Sequence, residues 1–312
     1  MAETVRIAHL SDVHLAPLPA IPLGLLNVKR ALGWLNWQRK RRAIHTRETL
    51  DAIVADVKAQ APDHIVMSGD LINLGLPEEC EAALAWLQSL GSPEQVSVVP
   101  GNHDIYSWLR RDDPGVWRWA AYMRSDAFGV ELGAVQREGM RLGDSVTGGF
   151  PYVRRIGPVA LIGLNSAEPT AVGSAEGRLG QQQIERLTGV LERTGEAGLI
   201  RLVAIHHPPL ARLGRPKKGL IDAGSLENVL VRAGAELVVY GHNHRLASDS
   251  AGSVWIEGVG SASAASGIGR ETAGCYNLIK VSKDAGGEAR IAIETRGLTE
   301  GGNGVGRLEA TG

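Results

Sequence analysis

Asp12-Val13-His14, Gly69-Asp70, Gly101-Asn102-His103-Asp104, His206-His207-Pro208 and Gly241-His242-Asn243-His244 divide among them the carboxylates, imidazoles and amide that a pair of metal ions would need. Residues two apart on an extended chain project to the same side. Asp12 with His14, and His242 with His244, can therefore each offer two ligands to one cavity. A mixed carboxylate, imidazole and amide set suits borderline divalent ions such as Mn, Fe, Zn or Co. Asp70 is the natural candidate for a bridge between two of them. Ions about 3.5–4 Å apart can clamp the entering and leaving oxygens of a phosphoryl displacement, with a hydroxide between them as nucleophile. Taken singly, Asp-x-His or Gly-Asp is a common pair. The ordered series, which holds six of the nine histidines, is what points to one site. His9, His45 and His64 fall outside it and read as structural.

Each segment follows a short apolar run, at residues 5–10, 64–67, 96–99, 202–205 and 237–240. Such β-branched runs bounded by Gly, Pro and Asp read as buried strands. In open α/β sheets ligands collect beyond the carboxyl ends of the strands, so the repeated order of strand then ligand predicts convergence. Helices fit between. Leu50, Ile53, Val54 and Val57 mark one, stopped by Pro62. Pro77 opens the next, which buries Ala83, Leu84, Leu87 and Leu90 and ends at Gly91. After a strand at 159–164, Ile184, Leu187 and Leu191 mark a third. Ser225 is the expected N-cap of a fourth, which carries Leu226, Val229 and Leu230. Beyond residue 250, strands at 253–259, 276–281 and 289–294 lack intervening helices, and Gly286-Gly287 suits a turn. The pattern is one of βαβ units finished by an antiparallel edge.

Thirty-three basic against thirty-four acidic residues give a net charge of −1. That balance leaves no footprint for non-specific nucleic-acid binding. Cys80 and Cys275 form neither a disulfide framework nor a metal-ligand spacing. They read as reduced thiols in a cytoplasmic protein. No leader and no membrane span are expected. Residues 1–298 read as one domain and 299–312 as a disordered tail. Two segments break the alternation. Residues 15–46 start Pro-rich and continue as a helix, with Leu25, Val28, Leu32 and Leu35 on one stripe and Arg39-Lys40-Arg41-Arg42 behind it. Residues 105–150 hold Trp108, Trp117 and Trp119. Both follow ligand-bearing strand ends, so both are expected at the mouth of the site.

The series DxH, GD, GNHD, HxP and GHxH resembles the calcineurin-like metallophosphoesterase superfamily over about residues 4–260. The resemblance implies an α/β fold, a four-layer αββα sandwich of two mixed β-sheets flanked by helices, with a dinuclear centre at strand C-terminal ends. It implies that Asp12, His14 and His244 bind the first metal, that Asn102, His206 and His242 bind the second, and that Asp70 bridges. His103 matches the family's GNH histidine, which lies close to the metals and protonates the leaving group or stabilises the transition state. Asp104 would orient it through a hydrogen bond. The first histidine of HxP is the usual ligand, which assigns His206 and leaves His207 between substrate contact and packing.

Calcineurin-type protein phosphatases follow their Gly-Asp with Val-Asp-Arg-Gly. Here Asp70 precedes Leu71-Ile72-Asn73, and GNHE is replaced by GNHD. Both departures speak against a phosphoprotein substrate. The lipid A pathway pyrophosphatases usually carry Arg where this chain has His103. The series looks most like the bacterial cyclic-nucleotide and glycerol phosphodiesterases. The implied activity is metal-dependent hydrolysis of a small phosphodiester, by attack of the bridging hydroxide. Three alternatives stay open: a lipid-linked pyrophosphatase or diesterase at a membrane surface, a DNA nuclease, and a non-catalytic module resembling the retromer subunit of this fold. The 15–46 segment, with Trp34, Trp37 and its basic run, is either a peripheral membrane contact or a lid whose aromatic stripe packs on the body while its charges are solvated. Arg212, Lys217 and Lys218 could meet a phosphate or could simply be solvated.

Overall fold

The computed structural model describes residues 3–108, 114–134, 149–265, 272–299 and 304–308. In chain order the elements begin with β1 (Val5–Leu10), α1 (Val28–Asn36), α2 (Arg42–Ile44), α3 (Arg47–Gln60), β2 (His64–Met67), α4 (Pro77–Leu90), β3 (Val96–Val98) and α5 (Ala127–Glu131). They continue with β4 (Tyr152–Ile156), β5 (Val159–Gly163), α6 (Gln181–Glu196), β6 (Ile200–Ala204), α7 (Ala223–Ala233) and β7 (Leu237–Tyr240). The chain finishes with β8 (Ala247–Ala251), β9 (Val254–Gly258), β10 (Cys275–Lys283), β11 (Ala289–Leu298) and β12 (Val305–Arg307).

Two six-stranded mixed sheets result, in the orders β12-β11-β10-β1-β2-β3 and β4-β5-β6-β7-β9-β8. Alternation along the strands explains why they stack. In β6, Ile200, Leu202 and Ala204 enter the core shared by the two sheets, whereas Val203 faces the helices on the other side. β7 divides likewise, Leu237 and Val239 inward and Val238 and Tyr240 outward. A strand buried on both faces must be apolar throughout, which is why these runs read as continuous. Leu50, Ile53 and Val57 of α3 and Ala83 and Leu87 of α4 cover the first sheet. Leu187 and Leu191 of α6 and Leu226 and Leu230 of α7 cover the second. The four-layer αββα architecture is thus present, and no helix among the described residues is long and apolar enough to cross a membrane.

Several details depart from the expectations. β9 does not belong to a terminal antiparallel edge. It runs parallel beside β7, with β8 antiparallel outside it. β8, Ala-Ser-Asp-Ser-Ala, has no β-branched residue to announce it. β10 and β11 return to the first sheet, where β10 lies antiparallel to β1. Part of the tail expected to be disordered is paired, since Val305–Arg307 adds an edge to β11. Ser225 is not the N-cap of α7, which begins at Ala223 after Asp222. The Asp222 carboxylate is engaged instead by the backbone N–H groups of Leu179 and Gly180.

The two insertions behave differently. The first covers the ligand-bearing strand ends with its polar and aromatic face rather than with its leucine stripe. Arg30 and Trp37 are buried, while Val28 (70% exposed) and Leu32 (49%) point away. Arg30 explains the orientation: its guanidinium donates to the carbonyls of Leu25, Leu74 and Gly75 and fixes that face inward. Of the second insertion, residues 109–113 and 135–148 lie outside the described residues. Its described part largely turns away from the mouth. Val116, Trp119, Tyr122 and Met123 join the main core, and Trp119 Nε1 donates to the Cys80 carbonyl at 2.8 Å.

Candidate metal centre

The ligand-bearing segments meet where β1, β2, β3, β6 and β7 end. Each leaves its strand through a tight turn, and the backbone there is unusual. Asp12, His14, Asp70, His242 and His244 all have positive φ, between 44° and 65°. Non-glycine residues rarely adopt this conformation, and it concentrates where side chains must be aimed at a shared point. The glycines beside them are needed for contact. A Cβ on Gly101 would collide with the Asp70 carboxylate, and one on Gly241 with Ser11 and Asp12.

Two triplets of donors form, Asp12 with His14 and His244, and Asp70 with His206 and His242. Within each, the ligand atoms lie within 4.8 Å of one another. Asp70 stands between them, its Oδ2 3.8 Å from His14 Nε2 and 3.5 Å from His206 Nε2. Asn102 Oδ1 joins the second triplet, 3.3 Å from His206 Nε2. His14 Nε2 and His244 Nε2 are 3.4 Å apart.

The hydrogen bonds behind the donors fix what they present. His14 Nδ1 donates to the Ile72 carbonyl at 3.2 Å, and His206 Nδ1 to the Ser68 carbonyl at 2.7 Å. Each ring therefore carries its proton on Nδ1 and can turn an Nε2 lone pair inward, the usual preparation of a metal-binding imidazole. Burial pushes His14 well below the ordinary histidine range, with Arg41 adding to it, and pushes His242 down to about 3. His206 goes the other way. Burial alone would lower it, but the carboxylates of Asp70 and Asp12 raise it to about 9, so a proton on Nε2 facing Asp70 would leave when an ion takes its place. Asp12 Oδ1 lies 3.1 Å from His244 Nε2, and His242 Nε2 is buried with no hydrogen-bond partner among the described residues. Lone pairs crowded together at such depth are costly unless a cation is shared among them. The donor set therefore fits two divalent ions.

His103 lies on the cleft wall with its Nδ1 donating to the Asn73 carbonyl at 2.6 Å. Asp104 does not orient it, contrary to the sequence expectation. The Asp104 carboxylate accepts the backbone N–H groups of Gly101, Asp70, Leu71 and Ile72. It ties the loop after β3 to the loop after β2, and so acts on backbone rather than on the histidine. His207 packs away from the cleft, with Ser166 Oγ 2.8 Å from its Nδ1 and its Nε2 3.2 Å from the Ala175 carbonyl.

Three residues escaped the sequence reading. His45, set aside as structural, stacks between Trp37 and the centre, 4.5 Å from the His14 ring. Tyr106 is the part of 105–150 that lines the cleft among the described residues. Arg41 stands apart from the rest of the basic run. A widened helical turn, Trp37–Arg41, swings it inward. There its Nη2 donates to His14 Nε2 at 2.6 Å and its Nη1 to His103 Nε2 at 2.9 Å. Only the periodicity of Arg30, Gly33, Trp37 and Arg41 down one face could have hinted at it.

Comparison with known proteins agrees with this geometry. The family model for calcineurin-like phosphoesterases matches residues 5–246. A Synechococcus protein named a probable cyclic nucleotide phosphodiesterase is 27% identical over 249 residues, 78% of this chain and 75% of that protein. Among solved structures, a dimetal phosphatase from Danio rerio superposes with a TM-score of 0.59 at 16% identity, covering 98% of this chain and 97% of the other. A purple acid phosphatase from yellow lupin seeds gives 0.53 at 12% identity, over 97% and 53% of the two chains. At those identities the structural likeness speaks for the fold.

Proposed function

The chain belongs to the calcineurin-like phosphoesterase family, and on that basis we propose that it is a dinuclear-metal phosphodiesterase acting on a small phosphodiester. The observation that carries the reading is the pair of donor triplets with Asp70 between them. In this reading Asp12, His14 and His244 hold one ion, Asn102, His206 and His242 the other, and Asp70 serves both. Two divalent ions, when bound, supply Lewis acidity that makes water nucleophilic at neutral pH and offsets charge on the phosphoryl oxygens.

The chain's own groups supply the rest. His103 has its Nδ1 proton held by Asn73 and turns Nε2 to the cleft, where a second proton, once taken up, would be placed for a departing alcohol. An unactivated alkoxide needs that proton, which favours a diester with an alcohol leaving group. Arg41 brings a permanent positive charge beside His103, where it can bind phosphoryl oxygens. α1 and the turn after it cover the centre and limit water. None of the donor positions is missing, which weighs against a non-catalytic module. The 27% likeness to a protein named a probable cyclic nucleotide phosphodiesterase supports the diester reading. The test is hydrolysis of bis(p-nitrophenyl) phosphate with Mn, Fe, Zn or Co. Asn102→Ala and Asp70→Ala should abolish it, and full activity in either purified variant would refute the assignment.

A second reading concerns where the substrate is met. Leu23 (89% exposed), Leu26 (51%), Val28 (70%) and Leu32 (49%) make an unpartnered apolar face outside the lid, with the basic Arg39 and Arg42 following. That combination fits an anionic bilayer and a lipid-derived diester. Co-sedimentation with phosphatidylglycerol vesicles tests it. Leu32→Glu should release the protein from them, and equal sedimentation of that variant would dismiss the idea.

A further inference from the structure

The cleft above the donors holds about 500 Å³, enough for a nucleotide-sized molecule. Its walls carry positive charge from two separate elements. Lys40 and Arg41 come from the end of the widened turn, and Arg215 and Lys218 from the turn that follows Ala211–Leu213. That second turn is anchored. Lys218 N donates to the Arg215 carbonyl at 2.9 Å, and the Lys217 carbonyl accepts from Ala175 N at 2.8 Å. Elsewhere surface arginines find carboxylates, as in Arg47 with Asp51 and Arg290 with Asp284. Arg212, three residues before Arg215, is engaged by Asp249 and Glu227 and stays out of the cleft. Lys40, Arg215 and Lys218, by contrast, form no ion pair with any described residue.

The charge balance of the cleft makes this meaningful. Asp70 is the one carboxylate among its described lining residues, and Asp12 lies beneath. Two divalent ions would more than offset those two carboxylates. A simple diester brings a single negative charge, so these three cations would still line the cleft uncompensated by any described carboxylate. Like charges left uncompensated around a binding site raise its affinity for a more anionic ligand.

We propose that Lys40, Arg215 and Lys218 form a subsite for a second phosphate of the substrate, next to the diester that is cut. The proposal deepens the diesterase reading and rests on it for the position of the scissile group. The preferred substrate then carries a phosphomonoester within one sugar or polyol unit of the diester, and plain cyclic mononucleotides are the poorer class.

The test compares thymidine 5′-(p-nitrophenyl phosphate) with its 3′-phosphorylated form, using Mn-loaded protein and an Arg215→Gln/Lys218→Gln variant. A parallel calorimetric titration compares thymidine 3′,5′-bisphosphate with thymidine 5′-phosphate. The wild type should favour the 3′-phosphorylated diester about tenfold, mainly through KM, and bind the bisphosphate more tightly by a similar factor. In the variant both ratios should fall toward one. Equal handling of the paired ligands by the wild type, or an undiminished preference in the variant, overturns the proposal. Should neither diester be hydrolysed with any metal, the diesterase reading fails by itself. The titration still decides the subsite, by whether the bisphosphate preference depends on Arg215 and Lys218.

Discussion

His103 and Arg41 share one hydrogen bond yet predict opposite kinds of damage. His103→Ala removes no donor from either triplet, so metal content should stay near that of the wild type. Turnover of a diester with an alkyl leaving group should drop roughly 10²–10⁴-fold, and less for a nitrophenyl ester that needs little proton help. Loss of metal in that variant, read by elemental analysis, would mean the histidine is a ligand. Arg41 competes for the His14 Nε2 lone pair that an ion would use. Arg41→Ala should therefore raise manganese affinity several-fold in a calorimetric titration while slowing turnover. Affinity that falls would contradict this. The donors themselves were legible because each ends an apolar run in a fixed order. Arg41 was not, since Arg39, Lys40, Arg41 and Arg42 are equivalent in composition and only the widened turn selects one. Asp104 was misjudged for a related reason: adjacency to His103 in sequence says nothing about where a carboxylate surrounded by backbone N–H groups will point.

At the scale of elements, the loop between β2 and α4 carries the burden of precision. Its backbone N–H groups at Asn73, Leu74 and Leu76 converge on the buried Glu79 carboxylate, at 2.8, 3.0 and 3.0 Å. The Asn73 carbonyl in turn holds His103. Glu79→Ala should cost about 1–3 kcal/mol in denaturant unfolding by orphaning those donors, and should lower kcat with KM little changed. Unchanged unfolding midpoint and rate would show that the loop is held by other means. Helices α3, α4 and α6 were readable from apolar spacing, because one face of each must cover a sheet. The stripe on α1 left lid and membrane contact both open, because spacing cannot say whether an apolar face meets the body or the solvent. There, four backbone and side-chain acceptors for the buried Arg30 decide the matter. β8 was invisible for want of β-branched residues, and β12 because three residues among glycines carry no pattern.

For the whole molecule, the donors come from both sheets, Asp12, His14, Asp70 and Asn102 from the first and His206, His242 and His244 from the second. Ion binding should therefore clamp the sandwich. At a hundredfold excess over Kd, one site contributes about 2.7 kcal/mol, so manganese should raise Tm and a chelator lower it. A second clasp joins α3 to the C-terminal strands, where Asp56 accepts from Arg296 Nε at 2.7 Å and from the Tyr276 hydroxyl at 2.6 Å. The Arg296 hydrogen bond holds the Asp56 carboxyl below its usual range. A depressed carboxylate stabilises the fold fully above its unfolded pKa, near 4, and ceases to do so as pH falls through the lower folded value. The stability gap between wild type and Asp56→Asn should thus shrink on acidification below that point. A gap that widens would reverse the sign. The layered architecture was foreseeable from the motif series, whereas the return of β10 into the first sheet was not, since pairing partners leave no local mark. Anomalous diffraction from crystals soaked in manganese reads the metal pair directly. Two peaks are predicted, one among Asp12, His14 and His244 and one among Asn102, His206 and His242, with Asp70 between. Well-ordered crystals with no peak there, or with bound manganese only elsewhere, would contradict it.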